Sequence, residues 1–501
     1  PAPKRKGDRR DDEESVGGLR GQYFQSDGMS KANKLKQTRI DGRIDFDFGE
    51  DGPVEGVAAD QFAIIWRGAI LAEETGYYEF RIRSENGARL YFNDDSAEIL
   101  GKLRDDSGAA GQTAFIDAWV GSGKMRETSK RIFLLGGRQY PLRLEFFKYL
   151  DKTASIRFEW KPPHGVWSAP GPDFLTSRST PRVYVAETPF PPDDRSLGYE
   201  RGSSVSQEWH AATTSAAVAT ANEVVGRLPV LARIDRKSKN REQQVRNFIL
   251  SFARRAFRRP LTEQEEQFFR DVPFTDAIDL EAAVSKAVLL ALTSPQFLYT
   301  DLTPPDAAPT QHAVAARLAF SLWDSIPDRE LTNAADHGRL ATASQIEKQA
   351  RRMMSDPRAK AKMRAFFHHW LELEERDLAK DKTIFPEFDE AVIADLRRSL
   401  ELFVDRVVWS ETSDYRELLL ADGLILNDRL RGLYARLDVD DAALAEDERT
   451  EFSESDDEFS EVTLAADRRS GVLTHPYLLS AFSYHNSTSP IHRGVFLTRN
   501  I

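Results

Sequence analysis

Between Leu19 and about Leu175 the apolar residues recur at every second position in short runs: QFAIIWRGAIL, GYYEFRIRS, ARLYFN, KRIFLL, YPLRLEFFKY and ASIRFEW. Alternation of this kind lines one face of a pleated strand with apolar side chains. Turn residues separate the runs, with TG at 75–76, ENG at 85–87, GG at 136–137 and PPHG at 162–165. Together they predict antiparallel strands closed into a sandwich or barrel. In GYYEFRIRSENGARLYFNDD, Tyr78, Phe80 and Ile82 share the predicted core face, and Leu90 and Phe92 join them. Trp66 and Trp160 lie inside strand patterns and are assigned to packing, whereas Asp45 and Asp47 alternate with Phe46 and Phe48 and face solvent. Near residue 200 the apolar spacing changes to three and four, which predicts helices over 205–234, 240–257, 262–271, 279–293, 311–324, 344–355, 357–374, 387–410 and 425–436. Thr262 with Glu265 three residues on reads as a capping box, and Ser355-Asp356-Pro357 reads as a second helix start. The fold class is multidomain α+β, an N-terminal antiparallel β-sandwich followed by an all-α helical region.

Composition shifts set the boundaries. Residues 1–16 are charged and low in complexity, predicting a disordered linker, and the sandwich follows over 17–178. A Pro-rich extended connector over 179–203 leads to helical domains over 204–302 and 303–437. Residues 438–461 hold twelve acids against a single Arg and read as a solvated mobile loop, and 462–501 open a third helical domain. That last segment is capped by Ser489 and Pro490, with Ile491, Val495, Phe496 and Ile501 expected on one face. No stop signal follows, and no initiator Met or signal core stands at Pro1, so the sequence is expected to be part of a longer chain. A net charge of −11 argues against a nucleic-acid partner. No apolar run approaches the roughly 20 residues of a membrane span. The absence of cysteine removes disulfides, thiolate metal sites and a Cys nucleophile.

The series GLRGQYF, IIWRGAIL, the hairpin around Glu85-Asn86-Gly87 and GGRQYPLRLEFF resembles the protective-antigen-type (PA-fourteen) domain, a β-sandwich of bacterial toxins, glycosidases and yeast adhesins. In the helical half, RRAFRRPLT, SLWDSIPD and TSPIHRG are similar to domains of unknown function that planctomycete bacteria join to c-type cytochrome modules in large secreted proteins. The resemblance implies an extracytoplasmic protein, whether periplasmic or on the cell surface. It also implies a glycan or surface polymer as partner, and haem c only in cytochrome domains downstream of this chain.

Carbohydrate-binding members of the first family hold calcium at the hairpin turn through two adjacent aspartates, and here that pair falls on Glu85 and Asn86. The resemblance therefore implies a weak calcium site at these two residues. Asn93, Asp94 and Asp95 in the next turn are candidate oxygen donors, and Trp119 and Trp167 are candidate stacking platforms. The plain alternative is a conformational role, because Asn-Gly is a common hairpin turn with positive backbone dihedrals. His368 and His369 adjoin on a helix and point about 100° apart, so a structural role is assigned. His475, His485, His492 and Arg493 are candidates to approach a haem, against a reading as caps and packing groups. No catalytic motif stands out. Three readings follow: a non-catalytic polymer-binding module on helical scaffold domains, a part of a haem-dependent oxidoreductase, and a structural or protein-interaction role.

Overall fold

The computed structural model describes residues 17–26, 32–94, 114–120, 123–191, 206–234, 239–299, 308–373, 378–437, 459–463 and 470–501. The expected linker 1–16, Asp95 and residues 438–458 of the acidic loop lie outside the described residues. The chain divides into two compact units, one formed by Pro1–Val183 with Lys360–Ile501 and the other by Tyr184–Ala359.

The first unit opens with strands β1 (Leu19–Ser26), β2 (Ala32–Asp41), β3 (Asp45–Gly49), β4 (Gln61–Ala72), β5 (Gly76–Ser84), β6 (Gly87–Phe92), β7 (Ile116–Ala118), β8 (Arg126–Leu134), β9 (Arg138–Tyr149), β10 (Ala154–Lys161) and β11 (Leu175–Thr176). The larger sheet runs β2-β1-β4-β9-β6-β7 with β11 on β4, and the smaller runs β3-β10-β5-β8. Pairing is antiparallel throughout, as expected of strands joined by short turns. The inward residues of the alternating runs meet in one core that contains Tyr23, Phe62, Trp66, Tyr78, Phe80, Ile82, Leu90, Phe146, Phe158 and Trp160. Asp45 and Asp47 are exposed, as their alternation requires.

One carboxylate enters this core. Asp41 accepts from the Tyr23 hydroxyl, from Trp66 Nε1 and from Arg39 Nε, each at 2.7 Å, so its burial is matched by donors. Gly21 makes room for it, since a Cβ there would lie 2.3 Å from Asp41 Oδ2. Burial, and then the Asp41 hydrogen bond, push the Tyr23 hydroxyl above its ordinary pKa.

The second unit is built from α1 (Gln207–Gly226), α2 (Leu228–Leu231), α3 (Arg241–Phe257), α4 (Glu263–Asp271), α5 (Leu280–Leu292), α6 (Pro295–Leu298), α7 (Gln311–Trp323), α8 (Arg329–Asp336) and α9 (Ala343–Met354). α4 starts on the predicted capping box of Thr262 and Glu265. The cluster of arginines in RRAFRR separates into individual partners: Arg254 pairs with Asp336 and Arg259 with Glu265. Arg258 ends α3 in the left-handed conformation and is buried, its guanidinium donating to the carbonyls of Ala256, Gln296, Phe297 and Tyr299.

The first unit is completed by α10 (Pro357–Trp370), α11 (Glu390–Val408), α12 (Tyr415–Leu420), β12 (Gly423–Leu426), α13 (Asp428–Leu437), β13 (Ser460–Thr463), α14 (Pro476–Ala481) and α15 (Pro490–Asn500), α10 beginning in the second unit. Two expectations change here. The helix predicted from 425 starts at Asp428, because Gly423–Leu426 pairs as a ribbon with Ser460–Thr463. Four apolar residues in a row do not distinguish a buried strand from a helix start. On α15 only Phe496 is buried, against Phe482, while Ile491, Val495 and Ile501 are exposed. The helix is anchored through its end instead, with Trp370 Nε1 donating to the Asn500 carbonyl and Asn500 Nδ2 to the Trp370 carbonyl. Among the described residues no helix is long and apolar enough to cross a membrane.

Candidate functional site

The turn between β5 and β6 forms part of one rim of the sandwich. Neither Asn86 nor Gly87 takes a positive φ, so the expected Asn-Gly turn chemistry is not what fixes these residues. Gly87 is required because the Phe147 ring lies where its Cβ would be, 1.9 Å away. Asn86 is buried, and its Nδ2 donates to Asp151 Oδ2 at 2.9 Å and to the Thr153 carbonyl at 3.1 Å. Those acceptors fix the amide orientation and leave Asn86 Oδ1 buried with no hydrogen-bond partner. A buried carbonyl oxygen in this state calls for a water or a cation. Glu85 is half-buried beside it. The oxygen chemistry of Asn86, Asp151 and Glu85 fits a hard cation, with most of the six to eight ligands that calcium takes left to water or a ligand.

The other sequence candidates are distributed elsewhere. Asn93 and Asp94 lie at the opposite end of β6, roughly 20 Å along the strand, and cannot share an ion with Glu85. Asn93 is committed to the backbone of Val183, with Nδ2 donating to the carbonyl at 2.7 Å and Oδ1 accepting the amide at 2.9 Å. Asp95 is outside the described residues. Trp119 packs on Phe147, beside Gly87, with the Arg89 guanidinium 4.5 Å from its ring centre, so the expected free stacking face is already engaged. Trp167 carries the Arg81 guanidinium at 4.2 Å on the smaller sheet.

The histidines near the chain end divide. His475 is fully buried; its Nδ1 caps α14 by accepting from the Tyr477 amide, and its Nε2 lies 3.2 Å from Ser399 Oγ. Both ring nitrogens are thus engaged, and His475 acts as a helix cap. His485 and His492 are exposed, His492 lies against Tyr484, and the Arg493 guanidinium donates to the Thr488 hydroxyl.

At the other end of β5 the sandwich meets its own C-terminal helices through a set of charges that sequence reading did not reveal. Glu73 and Glu74 follow β4. Arg398 Nη1 and Arg364 Nη1 reach Glu73 at 2.8 and 3.1 Å, and Arg397 Nη2 reaches Glu74 at 2.9 Å. Behind them Glu401 takes His368 Nε2 at 3.1 Å and Arg397 Nε at 3.4 Å, and Arg364 holds Asp405 at 2.8 Å. Burial alone would raise the Glu401 carboxyl, but the His368 hydrogen bond and the charges of Arg364, His368 and Arg397 hold it far below the usual range. Glu74 is raised, because burial outweighs Arg397.

Glu74, His368 and Glu401 are the one grouping among the described residues whose ligand atoms lie close enough, within 4.8 Å, to hold a metal. The chemistry does not fit one. Arg397 already donates toward His368 Nδ1 at 3.2 Å and pairs with Glu74 at 2.9 Å, and the guanidiniums of Arg364, Arg397 and Arg398 all lie within 4.0 Å of Glu401. The adjoining cleft of about 110 Å³ is far below the roughly 300 Å³ of drug-sized ligand sites. This is a structural joint.

Two packed antiparallel sheets, closed at one end by an oxygen-rich rim and bonded at the other to helices, define a β-sandwich domain carried on a helical frame. Residues 15–173 match the PA14 domain, residues 244–301 match a protein of unknown function (DUF1595), and residues 310–435 match a protein of unknown function (DUF1592). The chain thus carries a PA14 domain followed by these two helical domains, in agreement with the resemblance read from the motifs.

The anti-sigma-I factor RsgI3 of Acetivibrio thermocellus is 28% identical over 148 residues, which is 30% of this chain and 20% of that protein. The chain therefore spans about a fifth of that relative's length. Among solved structures, an anti-sigma factor domain-containing protein from Clostridium clariflavum is 25% identical, with 35% of this chain and 51% of that chain covered and a TM-score of 0.26. A PA14 sugar-binding domain from an RTX adhesin is 17% identical, with 32% and 98% covered and a TM-score of 0.25. The Epithelial Adhesin 6 A domain from Candida glabrata, in complex with Galb1-3GlcNAc, is 15% identical, with 34% and 89% covered and a TM-score of 0.26.

Proposed function

We propose that the sandwich is a binding module for a glycan or another surface polymer, and that the helical domains are its scaffold. The observation that carries this reading is the buried, unpartnered Asn86 Oδ1, in an amide whose Nδ2 is held by Asp151 and which follows Glu85 in the turn at the rim. A calcium ion held by these three residues would satisfy the amide oxygen and offer its open positions to vicinal hydroxyls. Such a polymer is met outside the cytoplasm, and the reading places the chain there. The match to the PA14 domain supports it.

The test is thermal unfolding of the whole chain with calcium and with a chelator, followed by glycan-array binding in both states. A ligand of the folded state at about 100 times its dissociation constant adds about 2.7 kcal/mol of stability. Calcium is expected to raise the unfolding midpoint of the parent but not of Asn86→Ala, and array signals should need the ion. No calcium shift, together with array binding unaffected by Asn86→Ala, would sink the rim assignment.

A purely structural role is the second reading. The observation that favours it is the joint at Glu73 and Glu74, which bonds the sandwich to α10 and α11 and makes it part of the frame.

A further inference from the structure

The outer face of the larger sheet carries a row of cations in exact cross-strand register. Arg20 of β1 stands opposite Arg67 of β4, Arg67 opposite Arg143 of β9, and Arg143 opposite Tyr91 of β6. Like charges placed directly across a sheet oppose its formation, so three in one row is an arrangement that packing alone would not select. Neutralisation is incomplete. Arg143 lies 4.0 Å over the Tyr91 ring and 3.3 Å from Glu145. Arg67 donates to the neutral Gln22 Oε1 at 2.5 Å, and neither Arg67 nor Arg20 makes an ion pair with a carboxylate among the described residues. Burial, and then the charge of Arg143, work against the protonated form of Arg67, with the nearby Glu145 carboxylate pulling the other way.

The row floors a cleft of about 220 Å³ whose walls include Ser177, Ser179 and Tyr91. Asp94 also lines it, so the cleft is not uniformly positive. Its volume is below the roughly 300 Å³ of drug-sized sites and suits one small ring. Guanidiniums match planar oxyanions through paired N–H donors, the hydroxyls of Ser177 and Ser179 can serve ring hydroxyls, and Tyr91 supplies an apolar wall.

We propose that this cleft is a second binding site, separate from the rim, for the oxyanion of an acidic sugar unit, either a hexuronate carboxylate or a sulfate ester, held by Arg20 and Arg67 with Arg143 behind them. The choice of a sugar as carrier rests on the glycan reading. The oxyanion rests on the arginine row.

The experiment is calorimetric titration of the whole chain, at low salt, with sodium glucuronate, glucose 6-sulfate and neutral glucose. The parent should bind at least one of the two acids more tightly than glucose, and the acid that binds identifies the source of the anion. Arg67→Gln and Arg20→Ala should each weaken that binding about tenfold or more, as expected for loss of a charged hydrogen bond. Arg67→Lys should retain part of it, with circular dichroism confirming that each variant is folded. Acids that bind no better than glucose, or folded arginine variants that bind like the parent, would overturn the proposal. Binding lost in Asn86→Ala but kept in the arginine variants would overturn it too, since it would assign the acid to the rim. Failure of calcium at the rim, with acid binding retained at the row, would separate the two assignments.

Discussion

Arg258 sits where a chain would normally turn with glycine, in the left-handed conformation at the end of α3, and it is buried as well. Its four carbonyl partners explain both departures. The guanidinium closes the backbone of the α6 turn, and only a long planar donor set reaches Gln296, Phe297 and Tyr299 together. Arg258→Leu is expected to cost about 2–4 kcal/mol by leaving these acceptors unpaired. Chemical denaturation should show the loss in the transition of the second unit, and a loss below about 1 kcal/mol would contradict the account.

His164 gives a second expectation at this scale. Burial, with the nearby charges of Arg397 and His368, depresses its imidazole from 6.5 to about 4, with Glu401 pulling the other way. Glu74 also faces it, at 3.8 Å. Between these values the unfolded chain takes up a proton that the folded chain refuses. The stability tied to neutral His164 is therefore complete above about pH 6.5 and is lost as the pH falls through about 4. The side chain is 47% exposed, which reduces the effect. His164→Gln is expected to flatten the fall of the unfolding midpoint across this window, and an unchanged slope would remove His164 from the account. Glu401, held low, should contribute only in stronger acid.

At the scale of elements, local rules carried most of the information that the sequence offers. The Thr262 cap with Glu265 was legible because both halves of the box lie within four residues. Thr262→Ala should lower stability by about 1 kcal/mol, measured as a shift in the denaturation midpoint of the second unit. The alternating runs gave the strands and their inward faces for the same reason. What remained hidden depends on pairing between distant segments. Gly423–Leu426 became a strand only because Ser460–Thr463 lies beside it, and Arg20, Arg67 and Arg143 became a row only through register across three strands. The hairpin singled out Asn86 as a candidate. Its real partners, Asp151 and Thr153, come from the loop before β10 and carry no local signal.

At the scale of the whole molecule, the first unit is assembled from the two ends of the sequence, and the charges of Glu73 and Glu74 hold those ends together. Glu73→Gln with Glu74→Gln should cost about 2–3 kcal/mol, because the buried Arg364 and Arg397 each lose one charged hydrogen bond and keep only Asp405 and Glu401 as acidic partners. Amide hydrogen exchange is the measurement: α10 and α11 should lose protection while β4 and β9 keep theirs. Equal loss in both would mean that the sandwich has no stability of its own.

The placement of these two turns also has a mechanical meaning. Glu74 stands just before β5 and Glu85 just after it, so the anchor and the rim are separated by the length of one strand, about 30 Å. A tug on anything held at the rim, resisted at the anchor, pulls β5 along its own axis. The hydrogen bonds that tie β5 to β8 and β10 then lie across the pull and share it together instead of opening in sequence. Under the binding proposed for the rim, a load between rim and anchor is therefore carried by β5 in shear, the direction in which a strand gives way last.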